Sequence, residues 1–374
     1  MFRSSAVVVL AFCPGLVVAD DGVPAVVFPR TNGIPVRDKA GEKIGQWANG
    51  EATVRKTGDA DWIEVRHRNG SPPVGWVKRG EVVSLADAPA YYTRKLRDDP
   101  ADVWAWTQRG WAWSKKGEHD NAIKDFTEAI RLDPSATNYL HRGLALNQRG
   151  DHEKAAADFT ESIRLDPTMS QAFESRGLAR MKLKQLDEAI GDLNEAVRLA
   201  PGDADVHNNR GVAWSKKGDT DRAIADYTTA IRLDPTLAVA YANRGRQWEK
   251  KPEFGRAAAD YAKAAETDPR YARAYNVHAW LLASCSDAKW RDGAKAVTLA
   301  TRACELTGRK DANYLDTLAA AHAEAGDFDR AVETAKAALA LPGTSPAVTA
   351  EIREHMALFE ARRPYHQPPP AKKD

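Results

Sequence analysis

The side chains of this sequence that could do chemistry recur along it and do not converge on one point. Arg109, Arg142, Arg176, Arg210 and Arg244 return at a near-constant interval, and Asp125, Asp158, Asp192, Asp226 and Asp260 follow them in step. Guanidinium and carboxylate groups in that register form either ligand clamps or an ion-pair ladder between two helices. The ladder is the simpler reading, and partly exposed pairs would each contribute only about 0–1 kcal/mol. Lys115, Lys182, Lys216 and Lys250 share a second recurring place. An ammonium group there complements a helix C-terminus by roughly 0.3–1 kcal/mol; several in a row also form a basic stripe for an acidic peptide segment. Trp104 and Trp111 fall on one helix face. They are either anchors for a partner or packed against a neighbouring element. Asn208, Asn243 and Asn276 offer amides suited to reading the backbone of an extended peptide.

No catalytic residue is assigned. The chain lacks a His-Glu-x-x-His, a Gly-x-Ser-x-Gly, a phosphate-cradling glycine loop and a Cys-x-x-Cys. Its nine histidines are dispersed, so no metal-ligand set and no cofactor is expected. His119 and His152 recur at one turn and read as solvated surface. Cys285 ends one helix and Cys304 lies deep in the next. That separation, on the order of 16 Å along an axis, exceeds disulfide reach, so two separate thiols are expected. The net charge of +2 supplies no pull toward nucleic acid.

The elements that position these residues follow from the same period. Glycines at 110, 143, 177, 211 and 245 are each followed by an alanine (Ala122, Ala155, Ala189, Ala223, Ala257). A large side chain comes next (Phe126, Phe159, Leu193, Tyr227, Tyr261), and then a proline (Pro134, Pro167, Pro201, Pro235, Pro269). Mid-helix glycine costs roughly 1 kcal/mol against alanine. Its recurrence implies a neighbouring backbone too close for a side chain, with the later large residue filling the space above. Proline ends each unit, and Gly117, Gly150 and Gly218 suit the turn between two antiparallel helices. Each unit is thus a helical hairpin whose apolar face must stack on its neighbours. Two degenerate units continue the pattern through Tyr275, Ala279, Ala296 and Ala300, then Leu315, Ala319, Ala331 and Ala335. The sixth carries an insertion around 284–292.

This pattern resembles the tetratricopeptide repeat, including an aromatic before the glycine (Trp106, Tyr139, Phe173, Tyr241), where the fourth unit has His207. The resemblance implies a mainly α solenoid, a right-handed superhelix of helical hairpins, over about seven repeats at 101–342. A half-repeat capping helix at 87–100 would precede it, and a capping helix at 343–362 and a disordered tail at 363–374 would follow. It also implies a concave groove lined by the first helices, which would hold a protein or peptide segment. The places of Lys115, Lys182, Lys216 and Lys250, and of Trp104 and Trp111, face that groove in the family. The two-lysine carboxylate clamp of chaperone-tail binders is absent, since Thr107, Leu140 and Glu174 stand where its first lysine would be.

Between residues 24 and 86 the period changes to two, with about five short strands separated by turn residues. Val36-Arg37, Gly50, Trp62, Val65, Gly75 and Trp76 resemble bacterial SH3-like domains, which implies a small all-β barrel. Trp62 and Trp76 read as core, with a ligand platform as the alternative; known members of that family bind peptides or cell-wall material. At the N-terminus Arg3, an apolar stretch from Ala6 to Val18 broken by Pro14-Gly15, and Ala19 before Asp20 read as a signal peptide at 1–19. A lipid anchor at Cys13 is disfavoured by Phe12. The run is too short to span a bilayer, and no stable membrane insertion is expected after cleavage. The whole resembles exported bacterial proteins, periplasmic or secreted, that join an SH3-like domain to a tetratricopeptide array. A non-enzymatic scaffold with its partner in the groove is therefore expected. The alternative is an envelope binder whose SH3-like domain carries the ligand on a helical spacer.

Overall fold

A computed structural model describes residues 26–32, 34–37, 43–47, 52–57, 62–67 and 74–368. The expected signal peptide and the last six residues of the tail lie outside them. The chain divides into two compact units, Met1–Ala179 and Arg180–Asp374.

The first unit opens with seven short strands: β1 (Val26–Pro29), β2 (Ile34–Arg37), β3 (Lys43–Trp47), β4 (Ala52–Thr57), β5 (Trp62–His67), β6 (Val74–Lys78) and β7 (Val82–Ser84). They form one antiparallel sheet in the order β3-β2-β6-β5-β4-β1-β7. All seven strands contribute to a single core of Val27, Ile34, Val36, Trp47, Ala52, Val65, Val77 and Val82, so the sheet must curl around it. Among the described residues there are seven strands where the pattern suggested five, and β3 does not pair with β7 to close a barrel.

Helices follow in the same unit: α1 (Ala88–Asp98), α2 (Val103–Lys115), α3 (His119–Leu132), α4 (Ala136–Arg149), α5 (His152–Leu165) and most of α6 (Ser170–Lys182). Sheet and helices share a core. Phe28 and Val83 pack with Ala88, Tyr92, Leu96, Ala105 and Ala112. The Tyr92 hydroxyl donates to the Pro29 carbonyl, and burial pushes that phenol well above its ordinary range.

The second unit holds α7 (Leu186–Leu199), α8 (Ala204–Lys217), α9 (Thr220–Leu233), α10 (Ala238–Lys250), α11 (Phe254–Thr267), α12 (Ala272–Ser284), α13 (Gly293–Leu306), α14 (Ala312–Glu324), α15 (Phe328–Leu339) and α16 (Pro346–Glu360). Consecutive helices pack as hairpins, and each hairpin packs on the next.

The repeat residues perform these packings. Ala122, Ala155, Ala189, Ala223 and Ala257 are fully buried where two helices cross. A Cβ on Gly245 would stand 2.5 Å from the ring of Tyr261, and one on Gly143 would stand 2.6 Å from Phe159. What excludes a side chain is thus the large residue of the second helix, not a neighbouring backbone. Gly117, Gly150 and Gly218 adopt left-handed backbone angles at the inter-helix turns.

The arginines and aspartates do form a ladder. Arg109, Arg142, Arg210 and Arg244 each grip their aspartate through Nε and Nη2 at 2.7–2.9 Å. Within the second unit Arg180 reaches Asp192, at 2.7 Å. The Nη1 groups of Arg109, Arg210 and Arg244 donate backward to Thr93, Asn194 and Thr228 on the preceding helix. These carboxylates are 5–9% exposed and their arginines 15–26%, so the pairs are covered on the carboxylate side.

Cys285 and Cys304 are free and buried. His119 and His152 are half-buried first residues of α3 and α5 rather than solvated turn residues; Nδ1 of His152 meets Asn147 Oδ1 at 2.8 Å. The tail also departs from expectation, because residues 363–368 are ordered against the last hairpins.

Candidate functional site

Within the second unit the first helices of successive hairpins, α8, α10, α12 and α14, touch one another more closely than their second helices do. The first-helix row is therefore the shorter, inner side of the stack. Side chains at the exposed edge of that row converge on a shared strip.

Cations dominate the strip. Lys182, Lys216 and Lys250 are exposed near the ends of α6, α8 and α10. Burial and the neighbouring Lys182 both pull the Lys216 ammonium below its ordinary range. Burial and Arg246 do the same to Lys250, whose Nζ reaches Gln247 Oε1 at 3.1 Å. Arg246 and Arg273 join them, both close enough to act on the phenols of Tyr227 and Tyr261. Lys182, Lys216, Arg246 and Arg273 make no hydrogen bond or ion pair with a described residue. Their neighbours in sequence behave differently: Lys217 pairs with Asp187 and Lys251 with Asp221, stitching adjacent hairpins. In α8 two adjacent lysines thus divide the work, Lys217 tying hairpins together and Lys216 left to solvent.

One carboxyl group among these cations is that of Glu249. Burial pushes it up to about 7, against the opposing effects of the hydrogen bond it accepts from the Tyr261 hydroxyl at 2.5 Å and of Arg246. Between about pH 4.5 and 7 the folded chain holds a proton that the unfolded chain releases. This group's contribution to stability therefore falls as pH rises through that window. Glu249→Gln keeps the acceptor for Tyr261 and removes the titration. Its stability in a urea titration is expected to exceed that of the native chain above pH 7 by on the order of 3 kcal/mol, and to match it at pH 4.5. An unchanged gap across that range would refute the assignment.

The expected amides are more enclosed than the sequence suggested. Asn208, Asn243 and Asn276 are 5–8% exposed. Asn243 Nδ2 donates to Asn208 Oδ1 at 3.1 Å, linking α10 to α8. Asn276 Oδ1 is buried with no hydrogen-bond partner among the described residues.

In the first unit, Trp104 and Trp111 are partly covered. Trp104 packs edge-on to Tyr92 at 5.7 Å, with Lys95 over its face. Trp111 contacts Phe126 and His141 at 5.9 and 4.9 Å, and burial pulls the His141 imidazole down to about 4. Lys115 is half-buried at the end of α2. These three do not share a unit with the cation strip.

In the sheet, Trp62 and Trp76 are half-buried and alternate with the core residues Val65 and Val77. They therefore occupy the face opposite the core, with Lys78 over the Trp62 ring at 5.6 Å. The core tryptophan is Trp47.

Arg246 and Arg273 were not singled out in the sequence, although a signal was present. Arg246 directly follows its glycine, as Trp111 does, and Arg273 holds the place in its hairpin that Trp104 holds in the first.

Tetratricopeptide repeat profiles match residues 103–135, 136–169 and 204–237, and a TPR repeat profile matches 177–218. Comparison with curated proteins returns no match. Among solved structures, yeast Tom70 is 18% identical, with a TM-score of 0.55 over 74% of this chain and 58% of that one. The APC/C hetero-tetramer Cut9-Hcn1 is matched at 17% identity and a TM-score of 0.53, over 63% and 46%. MamA is 26% identical over 44% of this chain and 96% of its own, with a TM-score of 0.40. This chain spans about half the length of the Tom70 and Cut9-Hcn1 chains, and the likeness to them is one of fold. Stacked helical hairpins, a ring against Gly110, Gly143, Gly211 and Gly245 and these profile matches agree: residues 103–169 and 177–237 carry tetratricopeptide repeats.

Proposed function

We propose that the chain is a non-enzymatic interaction scaffold whose second unit holds an extended, acidic segment of a partner protein along α8, α10 and α12. The observation that carries this reading is the set of cations without an ion pair among the described residues, Lys182, Lys216, Arg246 and Arg273, on one strip of first helices. Like charges held together raise the energy of the free chain, and an anionic ligand relieves that repulsion. The repeat fold supports a role in protein interaction. The compartment proposed is outside the cytoplasm, on the leader-like pattern from Arg3 to Ala19.

A second reading, in which the sheet carries the ligand, draws on Trp62 and Trp76 standing on the face opposite the core. The first reading is tested by fluorescence anisotropy with a labelled peptide of alternating Asp and Ser. Saturable binding that weakens about tenfold between low and high salt is expected. A Lys-Ser peptide that binds equally well would overturn it.

A further inference from the structure

The last hairpins present a different face, and the chain's own C-terminal segment lies on it. α16 ends at Glu360, and Arg362 takes a left-handed backbone angle of +54°. The Arg363 N–H donates to the Leu358 carbonyl and that of Arg362 to Phe359, which closes the helix and reverses the chain. Pro364 and Pro368 flank an extended stretch that cannot resume a helix. Tyr365, His366 and Gln367 each then meet a separate receptor.

The Tyr365 ring lies 4.3 Å from the His355 ring and 5.7 Å from that of Trp280. His366 Nε2 meets Glu324 Oε2 at 2.7 Å. The Gln367 backbone N–H donates to the Ser284 carbonyl at 2.7 Å, and its side-chain amide donates to Ser284 Oγ at 3.2 Å. Each receptor is held from behind. Asp316 fixes the His355 imidazole at 2.9 Å, and Arg291 holds the other oxygen of Glu324 at 3.0 Å. The insertion after Ser284 ends α12 there, and a helix end leaves carbonyls without an intrahelical partner. The tail satisfies the one on Ser284.

We propose that Trp280, Ser284, Glu324 and His355 form a second peptide site, separate from the cation strip. Its ligand is an extended segment of aromatic, imidazole and carboxamide side chains in that order. The chain's own Tyr365-His366-Gln367 occupies the site in cis and competes with a partner segment of the same chemistry. Occupation in cis lowers the apparent affinity for a ligand in trans by the fraction of time the site is open. This inference does not depend on the acidic-segment reading, because the ligand chemistry differs and none of the strip's cations takes part.

The experiment uses the full chain and a labelled peptide with the sequence of residues 362–368. Affinity is measured by anisotropy for the native chain and for the triple variant Tyr365→Ala, His366→Ala, Gln367→Ala. These side chains lie in the terminal segment, and circular dichroism checks that both proteins are folded. The triple variant is expected to bind at least about tenfold more tightly than the native chain. Adding Glu324→Gln to the triple variant should weaken binding about tenfold, because a charge-assisted bond is lost. Equal affinity for the native chain and the triple variant, or no binding to the folded triple variant, would overturn the proposal. So would indifference to Glu324→Gln.

Discussion

Asp260→Ala is expected to lower the stability of the second unit by about 3–5 kcal/mol, enough to separate its unfolding from that of the native chain in a urea titration. The substitution strands the Arg244 guanidinium. Its Nε and Nη2 lose both bonds to Asp260, each 2.8 Å, and its Nη1 remains committed to Thr228 on the preceding hairpin. Water can only partly replace the carboxylate, since Arg244 is 19% and Asp260 9% exposed. Replacing the pair together, Arg244→Met with Asp260→Leu, leaves no uncompensated charge and should fall within about 1 kcal/mol of the native chain. A single-variant loss below about 1 kcal/mol would show that the pair behaves as an exposed one. A double variant as unstable as Asp260→Ala would locate the effect in packing.

The combination Lys216→Glu with Arg246→Glu is expected to weaken binding of the Asp-Ser peptide about a hundredfold. Each reversal removes an attraction and adds a repulsion. At roughly 1–1.5 kcal/mol per site, the two together approach the 2.8 kcal/mol that a hundredfold represents. Neither side chain makes an ion pair or hydrogen bond with a described residue, so the fold should persist by circular dichroism. The matched control is Lys217→Glu with Lys251→Glu. These adjacent lysines are already paired with Asp187 and Asp221. The control should cost stability while leaving affinity within about threefold. Equal losses of affinity in the two variants would mean that general charge, not the strip, attracts the peptide.

What was legible in the sequence was local and periodic. The phase of glycine, alanine and a large apolar residue marks where helices cross, and glycines at the turns report left-handed backbone. The distance from Cys285 to Cys304 along the chain was enough to exclude a disulfide. What was not legible depends on third parties. The burial of Asp260 is set by the preceding hairpin, which supplies Thr228 and covers the pair. Period-two alternation shows that Trp62 and Val65 face opposite sides, but not which side is core; Trp47 fills that role.

Arg246 and Arg273 break the repeat consensus, and a search for recurrence passes over residues that occur once. The tail was misread for a similar reason. Its prolines rule out a helix, but local composition carries no information about an open carbonyl at Ser284 or a ring socket at Trp280 and His355.

The central claim is that the first-helix strip of the second unit is where a partner segment lies. Photo-crosslinking tests it most directly: the Asp-Ser peptide carries a benzophenone at its centre, and adducts are mapped by mass spectrometry after trypsin digestion. The account predicts adducts within Ala204–Lys217, Ala238–Lys250 and Ala272–Ser284. Adducts confined to the strands between Val26 and Ser84, or to α1–α5, would contradict it.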